Sequence, residues 1–226
     1  MQWILNFLTS SIGKKFVMSF TGLFLISFLT IHLIGNLQLL YDDDGAAFNK
    51  YAYFMTHNPL IKAVSFGLYA GIILHAWLGL ALFFKNRKSK GQKYAVSTSA
   101  NASFAAKQMA ILGTLILAFL FIHMGDFWYK MKFTDQLAMV DYDGMMVKDL
   151  YAQVSTTFSK PLFAGIYIVG MIALAFHLWH GFQSAFQSLG LNHKKYTPII
   201  QGFGKIFSII VPAAFALIPI FMYLNR

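Results

Sequence analysis

Residues 161–186, PLFAGIYIVGMIALAFHLWHGFQSAF, contain no Asp, Glu, Lys or Arg. A helix of this length exceeds the roughly 20 apolar residues that cross the hydrocarbon core of a bilayer. Spans must be helical here, because lipid offers no hydrogen-bond partner to an open backbone. Similar apolar stretches occupy about residues 16–41, 60–84, 108–128 and 205–224. The sequence therefore predicts an all-α membrane protein, a five-transmembrane-helix bundle in which residues 1–226 form a single domain.

The composition excludes several classes of protein. The 226 residues are 58% hydrophobic and only 12% charged, whereas soluble domains carry about 25% charged residues. A soluble globule and a disordered chain are both excluded by this balance. The chain has no cysteine, which removes disulfides, iron–sulfur clusters and thioether-attached haem.

The positions of the charges predict an orientation. The connection between the second and third spans carries six basic residues and no acid: Lys85, Arg87, Lys88, Lys90, Lys93 and Lys107. All eight acids of the chain fall on the opposite side. The positive-inside rule then places the amino terminus in the cytoplasm and the protein in the cytoplasmic membrane. This accounts for the net charge of +10, so we expect no nucleic-acid partner.

Three segments outside the spans carry structural expectations. The first 13 residues, MQWILNFLTSSIG, precede Lys14 and Lys15, which is the reverse of a signal peptide, where the basic residues come first. We therefore expect an interfacial segment there. The outer connection, residues 126–160, is predicted to hold one short surface helix over residues 145–158. Residues 189–198 are expected to form a loop.

Five histidines lie inside the predicted spans, and four of them fall at two matched depths. With a rise of about 1.5 Å per residue, His32 and His123 lie about 24 and about 22 Å from the cytoplasmic end of their helices. His75 and His177 each lie about 13 Å from that end. Ionisable groups at such depths are costly and are candidates for function. The depths pair His32 with His123, and His75 with His177.

Two imidazoles at the same depth on neighbouring helices are what a six-coordinate haem iron requires. Glycines close to these histidines leave room for a flat macrocycle: Gly35, Gly71, Gly79, Gly125 and Gly181. One alternative is that the histidines only form hydrogen bonds between helices, as in a transporter. Transition-metal transporters normally have carboxylates near such histidines, however, and a retinal protein needs a buried lysine. No acid and no lysine occurs in the uncharged stretches 16–41, 63–84, 108–125, 161–193 and 206–225.

The motifs around these histidines resemble those of a known family. They are SSIGKKFVMSFTG before the first span, TIHLIGN around His32, ILHAWLG around His75, FIHMGDFW around His123 and AFHLWHGFQSAF around His177. In their order and spacing, they resemble the cytochrome b558-type membrane anchor of diheme succinate dehydrogenases and quinol:fumarate reductases. The likeness extends over essentially the whole chain.

The resemblance implies two haems b and their ligands. His32 and His123 would hold the distal haem, and His75 and His177 the proximal one. His180 lies one turn after His177, at a position that is not a ligand in relatives; we interpret it as a residue near the ligand or the haem propionates, with a role as the fourth ligand left open. The resemblance also implies a flavoprotein subunit with FAD, an iron–sulfur subunit and membrane quinone, with menaquinone expected. The chain itself would not oxidise succinate.

The quinone end and the direction of the reaction stay open in the sequence. Asp126 is a candidate near the distal pair, while Lys107 and Gln108 are candidates near the proximal pair. Some fumarate reductase relatives have a glutamate two residues before the fourth-helix ligand, and here that residue is Ala175. This favours succinate oxidation without excluding fumarate reduction. The anchor of another dehydrogenase and a transporter with structural histidines are the remaining alternatives.

Overall fold

The computed structural model describes residues 2–89 and 104–225, without the side chains of residues 86, 89 and 104–107. The described chain is mostly helical. Its helices are α1 Gln2–Thr9, α2 Ser11–Asn36, α3 Ala46–His57, α4 Pro59–Ser89, α5 Phe104–His123, α6 Lys130–Phe133, α7 Leu150–Phe158, α8 Pro161–Ser188 and α9 Thr197–Leu224. Two short strands, β1 Met139–Tyr142 and β2 Met145–Lys148, lie between α6 and α7.

Within the described residues, five helical segments are long and apolar enough to cross a membrane. They are Ser11–Leu40, Pro59–Lys85, Gln108–Phe133, Pro161–Ser188 and Thr197–Leu224. The five predicted spans are thereby confirmed as helices, and they indicate a multi-pass membrane protein. The first segment includes a 3₁₀ turn, Leu37–Leu40, and the third passes through a π-helical turn, Met124–Tyr129, between α5 and α6.

The fifth span begins earlier in the chain than the sequence predicts. The expectation placed it at about residue 205, because Lys205 interrupts the apolar run. In the structure α9 begins at Thr197, with Pro198 in its first turn. Proline fits the first turn of a helix, where its missing N–H has no intrahelical acceptor. The loop is therefore shorter than predicted, 189–196 instead of 189–198, and α8 ends at Ser188, directly before it.

Helix α8 is the centre of the bundle and packs against α2, α5 and α9. Two glycines allow close approach of neighbouring side chains to a helix backbone. A methyl group at Gly170 on α8 would lie 2.6 Å from Phe119 on α5, and one at Gly204 on α9 would lie 2.6 Å from Phe182 on α8. Helix α4 packs mainly against α2 and exposes large apolar side chains, as expected of a helix that faces lipid.

One end of the bundle, which we call the capped end, carries α3, the β1–β2 hairpin and α7. Asn49 on α3 is 1% exposed and joins these elements. Its side-chain amide donates to Asp149 Oδ1 at 2.9 Å and to the Tyr142 hydroxyl at 3.1 Å, and its oxygen accepts from the Tyr151 backbone N–H at 2.9 Å. Burial, together with nearby acids of which Asp44 has the largest effect, raises the pKa of Tyr151.

The hairpin corrects the expectation of a single helix over residues 145–158. Only the second part of that segment is helical, as α7, while Met145–Lys148 pairs antiparallel with Met139–Tyr142. Asp143 and Gly144, at the turn, have φ values of 56° and 86°. An Asp-Gly pair with both φ values positive forms the type I′ turn that favours a two-residue hairpin.

The opposite end, which we call the basic end, holds α1, the last turns of α4 and the loop between α8 and α9. Lys85, Arg87 and Lys88 lie at the end of α4. The predicted basic residues Lys90 and Lys93 lie outside the described residues. All eight acids of the chain lie at the capped end, on or near the elements that form it.

Candidate functional site

Four of the five histidines in the spanning helices form two ring pairs at different levels of the bundle. The ring centroids of His32 on α2 and His123 on α5 are 5.7 Å apart, with an interplanar angle of 87°. Those of His75 on α4 and His177 on α8 are 6.3 Å apart, with an angle of 69°. We call these the outer pair and the inner pair. These are the same two pairs that the depth of each histidine along its helix predicts.

These separations fit two imidazoles that share one metal ion. Imidazole nitrogens bind first-row metals at about 2 Å. Because the ring centroid lies about 1 Å behind the nitrogen, two rings on opposite sides of one metal have centroids about 6 Å apart. Edge-to-face ring contacts without a metal also occur at about 4.5–7 Å. The centroid distances alone therefore fit both a metal site and a ring contact, and the hydrogen bonds of the ring nitrogens are needed to distinguish them.

At the inner pair, hydrogen bonds determine the tautomer of His75. Its Nδ1 lies 3.2 Å from the Met18 carbonyl oxygen and 3.2 Å from the Thr21 hydroxyl. A carbonyl oxygen only accepts, so Nδ1 carries the proton and Nε2 keeps its lone pair. A metal-binding histidine typically has this arrangement, in which the second nitrogen donates to a backbone carbonyl and orients the ring.

The partner ring in each pair has a nitrogen without a hydrogen bond. Nδ1 of His123 and Nδ1 of His177 are buried, and neither has a partner among the described residues. A buried polar atom left unpaired costs about 1–3 kcal/mol, and such atoms occur at sites of redox or catalytic function or where an ion binds. The donor set of each pair is two imidazoles, which suits haem iron.

The outer pair lies among aromatic rings. His32 stacks on Phe28 with centroids 5.1 Å apart, and His123 stacks on Phe119 with centroids 5.8 Å apart. Further rings within 6 Å of the pair belong to Phe127, Tyr167 and Phe215. The side-chain amide of Asn36 donates to the His32 carbonyl at 2.7 Å. These apolar surroundings would suit the edge of a macrocycle and exclude water.

Two glycines that the sequence pattern does not indicate lie against the inner pair. A methyl group at Gly22 would lie 3.2 Å from Cε1 of His75, and one at Gly113 would lie 3.9 Å from Cε1 of His177. Each glycine is on a different helix from the histidine that it faces. Spacing within one helix therefore could not identify them, because the relationship arises only when the helices pack.

The glycines that were expected to leave room for a macrocycle have different surroundings. A methyl group at Gly125 would meet no other described group within 4 Å, but Gly35 contacts the ring of Tyr51. Gly71 and Gly79 face the side chains of Phe24 and Met18. The absence of a side chain at Gly35 therefore lets Tyr51 of α3 pack against α2. The spacing of Gly35 from His32 did not indicate this role.

Asp126 is connected to the outer pair by Tyr167. It falls in the π-helical turn that follows His123, and its Oδ2 accepts a hydrogen bond of 3.1 Å from the Tyr167 hydroxyl. The Tyr167 ring is 5.9 Å from that of His123. Asp126 also lines a polar cavity of about 120 Å³ at the capped end, with Lys130, Gln153, Thr156, Thr157, Lys160 and Phe163. It is thus a half-buried, hydrogen-bonded acid.

The remaining candidates lie toward the basic end. His180 is half-buried on α8, and within the described chain no other histidine ring packs against it. Gln108 is half-buried on α5, while the side chain of Lys107 lies outside the described residues. The structure thus brings the four predicted ligands together in pairs and does not add His180 to either pair.

Comparison with protein-family models, with curated proteins and with solved structures finds no match for this chain. The basis for proposing a function is therefore the geometry of the histidine pairs together with the quoted motifs.

Proposed function

We propose that this chain is a diheme cytochrome b, the membrane anchor of a succinate:quinone oxidoreductase (complex II). The observation that carries the proposal is the pairing of four histidines, one from each of four spanning helices, into two ring pairs at separate levels. The quoted sequence motifs supply the choice among cytochrome b families. A haem b held by such a pair takes up and gives off one electron at a time.

The residues of the chain have distinct tasks in this proposal. His32 and His123 hold the outer haem, and His75 and His177 the inner one. The Met18 carbonyl and the Thr21 hydroxyl orient the His75 ring through Nδ1. Aromatic side chains around the outer pair exclude water from the outer site.

The capped end offers a place for the proton chemistry of quinone. Quinone reduction takes up protons and quinol oxidation releases them, so an ionisable group is needed where the quinone reacts. Asp126 can hold a proton at a carboxylate oxygen, and the Tyr167 hydroxyl already donates to Oδ2. The adjoining polar cavity provides contact with water. Asp126 is therefore the preferred candidate over Gln108 and Lys107.

The basic end is the proposed docking face for the flavoprotein and iron–sulfur subunits. Positive charge is provided there by Arg87 and Lys88 in the last turn of α4 and by Lys194 and Lys195 in the α8–α9 loop. The inner pair lies nearer to this end than the outer pair does, because His75 and His177 are closer to the basic ends of α4 and α8. Electrons would thus pass between a docked iron–sulfur subunit, the inner site and the outer site in sequence.

Purification of the intact complex from native membranes tests the choice of enzyme. We expect the chain to copurify with a flavoprotein that contains covalent flavin and with an iron–sulfur protein, and the complex to reduce quinone with succinate. Copurification with nickel or molybdenum would instead assign the chain to another dehydrogenase. A colourless, folded protein without redox partners would favour a transporter. The ratio of succinate oxidation to fumarate reduction would distinguish the two directions.

A further inference from the structure

Helix α1 is an apolar helix with almost no protein cover. Its sequence, QWILNFLT, has no charged residue, and none of its side chains is buried. Trp3 is 73% exposed and Leu5 is 62% exposed. Gln2, Asn6 and Thr9 are spaced at four and three residues, so they form a single polar stripe. A helix with its polar residues on one stripe and apolar residues on the other side can lie in a membrane interface with the apolar side toward the acyl chains.

The turn between α1 and α2 holds α1 at the membrane boundary. Ser10 caps α2 by accepting a hydrogen bond of 2.9 Å from the Gly13 backbone N–H. Gly13 itself contacts the backbone of Phe7, where a side chain would not fit. The two helices therefore meet backbone to backbone and α1 does not continue the direction of α2. Phe7 and Phe16 pack edge to face across the turn, with centroids 6.0 Å apart.

Basic side chains surround this turn. Lys14 and Lys15 lie near the start of α2, and Lys85 donates a hydrogen bond of 2.6 Å to the Ser11 hydroxyl. The membrane-spanning segments begin at Ser11 and end at Lys85 in these two helices, so this contact marks the boundary of the apolar layer. All eight acids of the chain lie at the capped end. The chain thus places positive charge at this boundary with no acid of its own to balance it.

We propose that α1 lies in the headgroup region of the bilayer and, with Lys14, Lys15 and Lys85, forms a binding surface for anionic phospholipid. The apolar side chains of α1 enter the acyl boundary, and the lysines meet the lipid phosphates. Charge complementarity and the level of α1 favour lipid over a docked protein subunit. A subunit that docks on the lysines would leave the uncharged apolar helix α1 at the height of the headgroups. This inference does not depend on haem binding.

Spin labels on the full-length chain test the position of α1. The chain contains no cysteine, so a single introduced cysteine is labelled specifically. At 100° per residue, Ile4 lies about 160° around the helix from Asn6. In nanodiscs of phosphatidylcholine with phosphatidylglycerol, a nitroxide at Ile4→Cys should collide with oxygen and be shielded from a water-soluble nickel chelate. Its matched control, Asn6→Cys, should show the reverse.

Two results of this experiment would overturn the placement. Equal access of the nickel chelate to both labels would mean that α1 stands in water. Shielding of both labels from oxygen and from nickel would mean that α1 packs against the rest of this chain and not against lipid.

Lipid selectivity tests the role of the lysines. In mixed phosphatidylcholine and phosphatidylglycerol, we expect Lys14→Gln with Lys15→Gln to reduce the association of phosphatidylglycerol with the protein by about fivefold for each lysine. The control is Lys194→Gln with Lys195→Gln, the same charge change in the α8–α9 loop of the same end. An equal loss in both double variants would show attraction to net charge alone and would overturn the specific site.

Discussion

The Tyr167 hydroxyl donates a hydrogen bond of 3.1 Å to Oδ2 of Asp126, and the Tyr167 ring lies 5.9 Å from the ring of His123. The tyrosine therefore connects an ionisable carboxylate to the outer histidine pair. The π-helical turn that follows α5 contains Asp126, and such turns frequently occur at functional sites. The proposed quinone chemistry depends on this connection.

Replacement of Asp126 should separate proton transfer from haem binding. We expect Asp126→Asn to slow succinate-driven quinone reduction by about 10²-fold, the size of effect that a positioned acid or base has. The haem absorption spectrum should be unchanged, because asparagine retains the shape and an acceptor for Tyr167. Steady-state kinetics and a reduced-minus-oxidised spectrum measure both quantities. Asp135→Asn, an exposed acid at the same end, is the control; equal slowing in both variants would contradict the assignment.

The Thr21 hydroxyl should tune the inner site through His75. Thr21 is 7% exposed and its oxygen is 3.2 Å from Nδ1 of His75. Thr21→Val keeps the shape but removes that acceptor, so the imidazole becomes a poorer electron donor. We expect about tenfold weaker haem retention at one of two sites and a higher midpoint potential for that haem, measured by redox titration. Thr30→Val, at an exposed position of the same helix, should change neither.

The size of residue 22 should also matter to the inner pair. A methyl group there would lie 3.2 Å from Cε1 of His75, so the ring must move by a few tenths of an ångström. Overpacking of this kind costs about 1–3 kcal/mol. Gly22→Ala should therefore lower haem occupancy at the inner site by about tenfold. Gly67→Ala is the matched control, because no group lies within 4 Å of a methyl at that position. Full occupancy in both variants would contradict the close contact.

Asn49 should hold the capped end together. Asn49→Ala leaves the Tyr151 N–H and Asp149 without one partner each, and buried groups left unpaired cost about 1–3 kcal/mol. We expect faster proteolytic cleavage of the hairpin and a lower thermal midpoint in detergent. Asn225→Ala, which removes an exposed side chain that bonds to the Phe221 carbonyl at 2.9 Å, should have little effect. If both variants behave like the unchanged protein, the Asn49 hydrogen bonds do not stabilise the cap.

The apolar pattern predicted the spans well but did not predict the structure of the connections between them. Long uncharged stretches leave helix as the only structure for a membrane span, so five helices followed directly from the sequence. Helix α3 was not predicted, since its residues lie in a connection between two spans and lack a long apolar run. The hairpin was missed although Asp143 and Gly144 are a recognised turn pair.

The histidines were the easiest part of the site to predict and their surroundings the hardest. Depth along each helix depends only on residue number, so the pairing of His32 with His123 followed from the rise per residue. The contacts of Gly22 with His75 and of Tyr167 with Asp126 join different helices. They depend on how the helices are rotated and packed, and the near-uniform apolar sequence of the spans contains little information on that rotation.

The number of haems per chain tests the central proposal most directly. A pyridine haemochrome assay on the purified chain, quantified by amino-acid analysis, should give two haems b. His123→Ala and His177→Ala should each lose one haem, from the outer and the inner site respectively, while His180→Ala, a histidine on the same helix as His177, should keep both. Absence of haem from a folded sample made with adequate haem supply would contradict the cytochrome assignment, and loss of one haem in His180→Ala with both retained in His177→Ala would contradict the inner pair.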